Sequence, residues 1–395
     1  MQEEYDCFYF VADWHALTTD YADASAVAQN TVEIATDWLA AGLDPTKCTL
    51  FVQSQVSEHA ELHLLLSMVT PLGWLERVPT YKEQLENIKD KDLHTYGFLG
   101  YPVLQAADIV MYGEPGVQLF VPVGEDQVPH VEMTREIVRR LNFYYGLSVS
   151  AELFGLRGGS ALERISDIVL GRRTPPDKIP FLFPDSAGIS RLVREMGFDN
   201  FLAKISEEDR RFFVVKDVLR EPGVMLTETP RIPGTDGRKM SKSYGNYISL
   251  GESDESIRAK AKVMMTDPAR KRRADKGNPD VCPVFSWHKL FSTKETIAWA
   301  DQGCRTAGIG CIECKEAMAD HLIQWIEPIR ERRLQYETLE KENGEVRRIL
   351  VEGAERARKT AQETMKRVRG AVFGKDKILQ GSAGTSAVKD VKAGR

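Results

Sequence analysis

Three groups of residues in this 395-residue sequence have types and spacings that could do chemistry. The first is Gly237-Arg238-Lys239-Met240-Ser241-Lys242-Ser243-Tyr244-Gly245-Asn246, in which two lysines stand among small hydroxyl residues and glycines. Lysine meets phosphate as a compact charge on a long stem, and hydroxyls and open backbone N–H groups complete a cradle. A solvated basic loop would have a similar composition, so the residue types alone leave both readings open. The second is Tyr101-Pro-Val-Leu-Gln105-Ala-Ala-Asp108-Ile-Val-Met-Tyr112. On a helix Tyr101, Gln105 and Asp108 fall at i, i+4 and i+7 along one face. Asp108 is an acid among apolar neighbours and needs a donor, because an unpaired buried carboxylate is costly. Either a nearby cation or backbone N–H supplies it, or a ligand does. The third is Cys282, Cys304, Cys311 and Cys314, four of the six cysteines, with Cys311-Ile312-Glu313-Cys314 a Cys-x-x-Cys. Gathered thiols in a cytoplasmic protein suit a metal site better than disulfides, and four thiolates can hold zinc or an iron–sulfur cluster.

Positioning these groups requires a scaffold. Cys7 to Asp13 reads as a buried strand that delivers Asp13 and His15 at its end; Asp20 to Gly42 reads as a helix capped by Gly42. Thr49 to Ser54 is the next strand and Glu58 to Thr70 the next helix. That order indicates an α/β fold, a parallel sheet covered by helices with ligands at the carboxyl ends of the strands. Leu119 to Val123 forms a further strand that runs into Gly124-Glu125-Asp126-Gln127, where a glycine before a helix start lets a ligand approach the backbone. Gly146 to about Thr227 is punctuated by Gly and Pro with short helical stretches such as Ala187 to Met196. After Asn246 the pattern is helical. From Val346 to Val368 it is amphipathic, with Arg347, Arg348, Arg356, Arg358, Lys359, Arg367 and Arg369 opposite the apolar face.

The net charge of -5 argues against a protein that coats nucleic acid indiscriminately, while local basic patches remain. No run of about 18 apolar residues and no basic-then-apolar leader is present, so neither a membrane span nor a secretory signal is expected and a cytoplasmic location follows. No P-loop or zinc-hydrolase motif suggests another chemistry.

The Lys-Met-Ser-Lys-Ser string resembles the KMSKS loop of class I aminoacyl-tRNA synthetases. Together with the Tyr-Pro-x-x-x-Ala-Ala-Asp helix and Val121-Pro122-Val123-Gly124-Glu125-Asp126-Gln127 with His130, the chain closely resembles the tryptophanyl-tRNA synthetase family. The resemblance implies a Rossmann-like nucleotide-binding domain and an all-helical C-terminal anticodon-binding domain. It implies that Asp108 accepts the indole N–H, that Tyr101 and Gln127 hold the substrate's α-amino group, and that His15 and Gln105 line the tryptophan site. It places Gly124 and Asp126 at the ATP ribose, Lys239, Met240, Ser241 and Lys242 at the phosphates with both lysines catalytic, and Lys82 as a further phosphate-reaching lysine. ATP, Mg²⁺, tryptophan and tRNA(Trp) are the implied cofactors and partners, and a homodimer is implied by the family alone. Some bacterial members carry a similar four-cysteine pattern holding a [4Fe–4S] cluster, which implies that group at Cys282, Cys304, Cys311 and Cys314, with zinc as the alternative. The implied division is a catalytic domain over 1–146, an insertion over 147–227, the lysine loop over 228–250, a helical domain over 251–380 and a flexible tail over 381–395.

Family members carry another strand and a His-x-Gly-His-like segment before the strand that opens this chain, so Met1 is expected to be internal to a longer parent and adenylation by this form to be impaired. Full tryptophan-dependent pyrophosphate exchange by the 395-residue chain would overturn that expectation. Tyrosyl-tRNA synthetases share the fold and a similar acid, so Asp108 alone does not separate the two; the Gly124 to His130 segment favours tryptophan. A non-catalytic tRNA- or tryptophan-binding paralogue is the other alternative, disfavoured by the intact lysine loop.

Overall fold

The computed structural model describes residues 1–78, 81–82, 85, 91–155, 159–183, 185–226, 232–240 and 244–374. Its expected flexible tail, 381–395, and the loop residues Ser241 and Lys242 lie outside the described residues. The chain divides into two compact units, each assembled from separated stretches: Met1–Gln55 with Leu226–Ala357, and Val56–Met225 with Arg358–Arg395. Among the described residues there are six short strands: β1 (Phe8–Val11), β2 (Thr49–Val52), β3 (Leu119–Val123), β4 (Leu147–Val149), β5 (Phe213–Val215) and β6 (Pro222–Leu226). They are hydrogen-bonded in pairs, β1 with β2, β3 with β6 and β4 with β5.

In the first unit β1 and β2 run parallel, from Phe8 opposite Thr49 to Val11 opposite Val52. A parallel pair needs a crossover, and helices supply it. The helix expected from Asp20 to Gly42 is Val27–Ala41, and a separate helix, Asp13–Asp20, precedes it. The break has a local cause: Asp23 Oδ1 accepts the Ser25 N–H at 2.9 Å, an Asp side chain competing with helical backbone pairing. Gly42 does cap the second helix, at φ 111° with its N–H on the carbonyls of Trp38 and Leu39. Leu39, Leu50 and Val52 share a core with Val346, Ile349 and Leu350 of the Glu345–Phe373 helix. That helix approaches so closely that a Cβ on Gly353 would overlap the Leu50 carbonyl oxygen of β2. Gly353→Ala is therefore expected to destabilise the unit by about 3 kcal/mol or more, because backbone and not a flexible side chain must move. A thermal unfolding comparison with the wild type checks this.

The second unit packs the Glu58–Ser67 helix on the Tyr96–Val110 helix, and the latter on the Val128–Gly146 helix. Asn142, buried in the last of these, clamps the following chain: its Oδ1 accepts the N–H groups of Val218 and Leu219, and its Nδ2 donates to the Leu219 carbonyl. Between β4 and β5 the chain has its own apolar core. Leu153, Ala161, Ile165, Ile179, Ile189, Val193 and Phe201 build a core of their own together with Phe143. One of its helices, Ser186–Met196, coincides with the stretch expected from Ala187 to Met196, and burial within this local core fixes the shorter ones between Gly and Pro.

Candidate functional site

The Tyr96–Val110 helix begins where Thr95 Oγ1 accepts the Phe98 N–H at 3.2 Å, an N-cap that satisfies one of the first-turn donors. Its buried face carries Phe98, Val103, Ala106, Ala107 and Asp108, which is only 6% exposed. The donor that Asp108 requires comes in part from within the protein. His59, fully buried in the Glu58–Ser67 helix, places Nδ1 at 2.6 Å from Asp108 Oδ1 and Nε2 at 2.7 Å from the Tyr112 hydroxyl. Burial raises the Tyr112 pKa well above the ordinary phenol value, and the charges of Asp108 and Glu58 push it the same way. Tyr112 thus keeps its proton and can donate it. With Tyr112 O–H donating to His59 Nε2 and His59 Nδ1–H donating to Asp108, the three side chains form one consistent string of donors and acceptors. Sequence reasoning missed His59: its helix mixes Glu58, Glu61 and His63 with apolar residues, and nothing in that pattern marks one histidine as the buried partner of an acid 49 residues away.

One turn before Asp108, Gln105 Nε2 lies 3.4 Å from Gln127 Oε1, and Gln127 Nε2 donates to Asp126 Oδ2 at 3.1 Å. Three predicted residues are joined in this string. Tyr101 sits between the rings of Phe98 and His130, with centroids 5.9 and 5.7 Å away. Burial lowers the His130 pKa, against the opposing pull of Asp126, which favours a neutral imidazole beside the Tyr101 ring. Gly124 is extended, and a Cβ there would come within 2.9 Å of Asp126 Oδ1. Lys82 is exposed, and its neighbour Tyr81 packs against Phe98 with ring centroids 5.5 Å apart.

Lys239, Met240 and His15 belong to the other unit. The chain entering the lysine loop makes a tight turn: Pro233 bridges Lys239, the Gly234 N–H donates to the Arg238 carbonyl at 2.7 Å, and Gly237 adopts φ 79°. Asn246, 3% exposed, ties the turn together by donating to Asp236 Oδ1 at 2.7 Å and to the Lys239 carbonyl at 3.0 Å. A side chain on Gly234 would overlap that of Asn246. Lys239 is exposed on this fixed turn, while Met240 packs against the core beneath it. His15 lies in the helix that follows β1. Asp13, which leaves the same strand, is structural: its Oδ1 accepts the N–H groups of Trp14 and Ser54, joining the ends of β1 and β2.

A family model described as tRNA synthetases class I (W and Y) matches residues 1–155 and 202–327. The chain belongs to this family. Among curated relatives, a tryptophan–tRNA ligase of Ralstonia nicotianae is 48% identical over 382 residues, covering 94% of this chain and 91% of the relative. One of Thermotoga maritima is 40% identical over 374 residues, covering 94% and 90%. Among solved structures, tryptophanyl-tRNA synthetase from Campylobacter jejuni complexed with ADP and tryptophan is 26% identical, with a TM-score of 0.66 over 94% of this chain and 91% of that one. The expected synthetase fold is thereby met, with the parallel β1–β2 pair and its helical crossover on one side and the largely helical segment after residue 250 on the other.

In this class I synthetase the four cysteines occupy helix ends. Cys282 caps the Pro283–Phe291 helix, Cys304 lies in the last turn of Lys294–Arg305, and Cys311 and Cys314 lie in the first turn of Cys311–Asn343. None of the four is joined in a disulfide. Their thiols are close enough to act on one another: burial pushes Cys314 up to about 12, and the charges of Cys282, Cys304 and Cys311 add to the effect. Burial raises Cys304 as well, opposed by Arg270, whose Nη1 lies 3.7 Å from the sulfur. Among the described residues no three His, Cys, Asp or Glu side chains stand together closely enough to hold a metal ion as they are placed. Thiols are the donor type that thiolate-bound groups require, and Arg270 stands beside one of the four, Cys304.

Several arginines of the last helix have local duties. Arg367 donates to the carbonyls of Val218 and Gly113, Arg369 pairs with Glu61, and Arg348 pairs with Glu345 and Glu352. These are packing and intrahelical contacts, as an amphipathic helix with mixed charge would make. Among the described residues no helix is long and apolar enough to cross a membrane.

Proposed function

We propose that this chain is a tryptophan–tRNA ligase, which activates L-tryptophan with ATP and transfers it to tRNA(Trp). The site observation that supports the reading is the buried Asp108 carboxylate, held by His59 in an apolar helix face, with the Gly124 to His130 segment favouring tryptophan over tyrosine. Indole offers a single N–H donor and no acceptor, so a dry, ionised carboxylate matches it and penalises side chains that lack the donor. Relatives whose names carry this activity share up to 48% of their residues with the chain.

In the reaction an oxygen of the tryptophan carboxylate bonds to the α-phosphorus of ATP, and the bond to the β-phosphate oxygen breaks as pyrophosphate leaves. The adenylate is then attacked by a ribose hydroxyl at the tRNA terminus, and AMP departs. No protein nucleophile is needed; rate comes from positioning and from charge stabilisation on the leaving phosphates. Tyr101 and Gln127 hold the α-amino group, with Gln105 steadying Gln127. Gly124 and Asp126 serve the ribose, and His15 lines the tryptophan site. Lys239 and Lys242, with Met240 and Ser241 between them, meet the phosphates, and Lys82 reaches toward them; Mg²⁺ arrives with ATP. The enzyme works in the cytoplasm as a homodimer.

Pyrophosphate exchange into ATP tests the reading: whatever exchange the chain supports, reduced or full, is expected with tryptophan and not with tyrosine, and support by tyrosine alone would overturn it.

Cys282, Cys304, Cys311 and Cys314 are proposed to hold a [4Fe–4S] cluster, zinc being the other thiolate-bound candidate. Bound there, the group would cross-link three helix ends. Anaerobically purified protein is expected to be brown, with about four irons and four sulfides per chain, and Cys314→Ser to lose the colour. Stoichiometric zinc without iron would contradict the assignment.

A further inference from the structure

Resting on the reading of Asp108 as the indole acceptor, we infer that His59 and Tyr112 are positioning residues that aim the Asp108 carboxylate and set the preference for a ring N–H. A carboxylate on a helix can rotate about its side-chain bonds, and an acceptor free to turn discriminates poorly. His59 Nδ1, 2.6 Å from Oδ1, fixes one oxygen and with it the plane of both. Each carboxylate oxygen carries two lone pairs, so engagement by His59 leaves the group with further capacity to accept.

His59 does this with a proton on Nδ1, as in the Nδ1–H tautomer. Tyr112 selects that tautomer, because its hydroxyl, 2.7 Å from Nε2, donates to the nitrogen that must then be unprotonated. The same arrangement, a histidine oriented by a partner on its far nitrogen, is how outer residues govern the geometry of a reacting group elsewhere. All three residues lie in one unit, His59 in the Glu58–Ser67 helix and Asp108 and Tyr112 at the end of the Tyr96–Val110 helix and just beyond it. The two helices pack directly on each other. Specificity is thus set partly by a helix that offers the ligand no contact of its own in the reading above.

The test compares equilibrium binding of tryptophan with that of β-(3-benzothienyl)alanine, in which sulfur replaces the ring N–H. Wild type is expected to prefer tryptophan by about tenfold or more, the scale of one hydrogen bond to a charged group. His59→Leu is expected to bring the preference to within about threefold, and Tyr112→Phe to lower it part of the way. His59→Asn, whose amide can place a donor near the Nδ1 position, is expected to restore most of it. A residue that merely supports the fold would weaken both ligands alike and leave their ratio unchanged. Unchanged preference in His59→Leu and Tyr112→Phe overturns the inference; where His59→Leu does not fold, Tyr112→Phe alone decides. Asp108→Asn separates the two levels. If it leaves the preference intact, the indole-acceptor reading itself fails, whereas loss there with no change at His59 and Tyr112 sinks only the positioning role.

Discussion

Asp108→Ala is expected to weaken tryptophan binding by about 10- to 100-fold while changing the binding of the benzothienyl analogue far less. The magnitude follows from the loss of a hydrogen bond to an ionised acceptor, about 1.5–3 kcal/mol, in a place where water cannot replace it. Asp108 is 6% exposed and lies among Val103, Ala106, Ala107 and Val110. Truncation also takes the acceptor from His59 Nδ1, so a loss of stability accompanies the loss of affinity. Asp108→Asn keeps the volume and isolates the chemistry, since an amide presents one carbonyl oxygen and a competing donor. Its tryptophan affinity is expected to fall by a similar factor. Titration calorimetry with both ligands measures this, and equal losses for the two would assign Asp108 to structure alone.

The second large effect is expected at Lys239. Removing a cation that meets the leaving phosphates costs a factor of about 100 to 1,000 in the rate of adenylation, by analogy with other preorganised charge-stabilising donors. Lys239→Ala is therefore expected to slow tryptophan-dependent pyrophosphate exchange by that factor, with tryptophan affinity within about threefold of wild type. The separation is expected because Lys239 stands on a turn fixed by other groups. Asn246 holds Asp236 and the Lys239 carbonyl, and the Gly234 N–H holds Arg238, so truncating the exposed side chain leaves the turn in place. Equal loss of binding and rate would instead mean that the turn had collapsed.

How much of this was legible in the sequence depends on the range of the interaction. The lysine loop, the Asp108 helix and the Gly124 to Gln127 turn are contiguous strings, and their residue types announce their chemistry. The Gly42 cap is equally local and is found in place. The partner of Asp108 is not local: His59 lies 49 residues earlier, and only the packing of two helices brings them together. The late start of the helix expected from Asp20 to Gly42, at Val27, depends on a single side-chain contact at Asp23, too small a signal to outweigh helical periodicity. Arg367 and Arg369 looked alike in a basic face. One binds two distant carbonyls and the other Glu61, distinctions that charge patterning does not carry.

The most direct test of the central claim is a competition titration of tryptophan against tyrosine on the wild-type chain. Tryptophan is expected to bind at a single site, and tyrosine, whose hydroxyl donor stands at a different place on a smaller ring from the indole N–H, is expected to displace it only at concentrations about 100-fold higher or more. Tyrosine binding as tightly as tryptophan, or binding while tryptophan does not, would contradict the account.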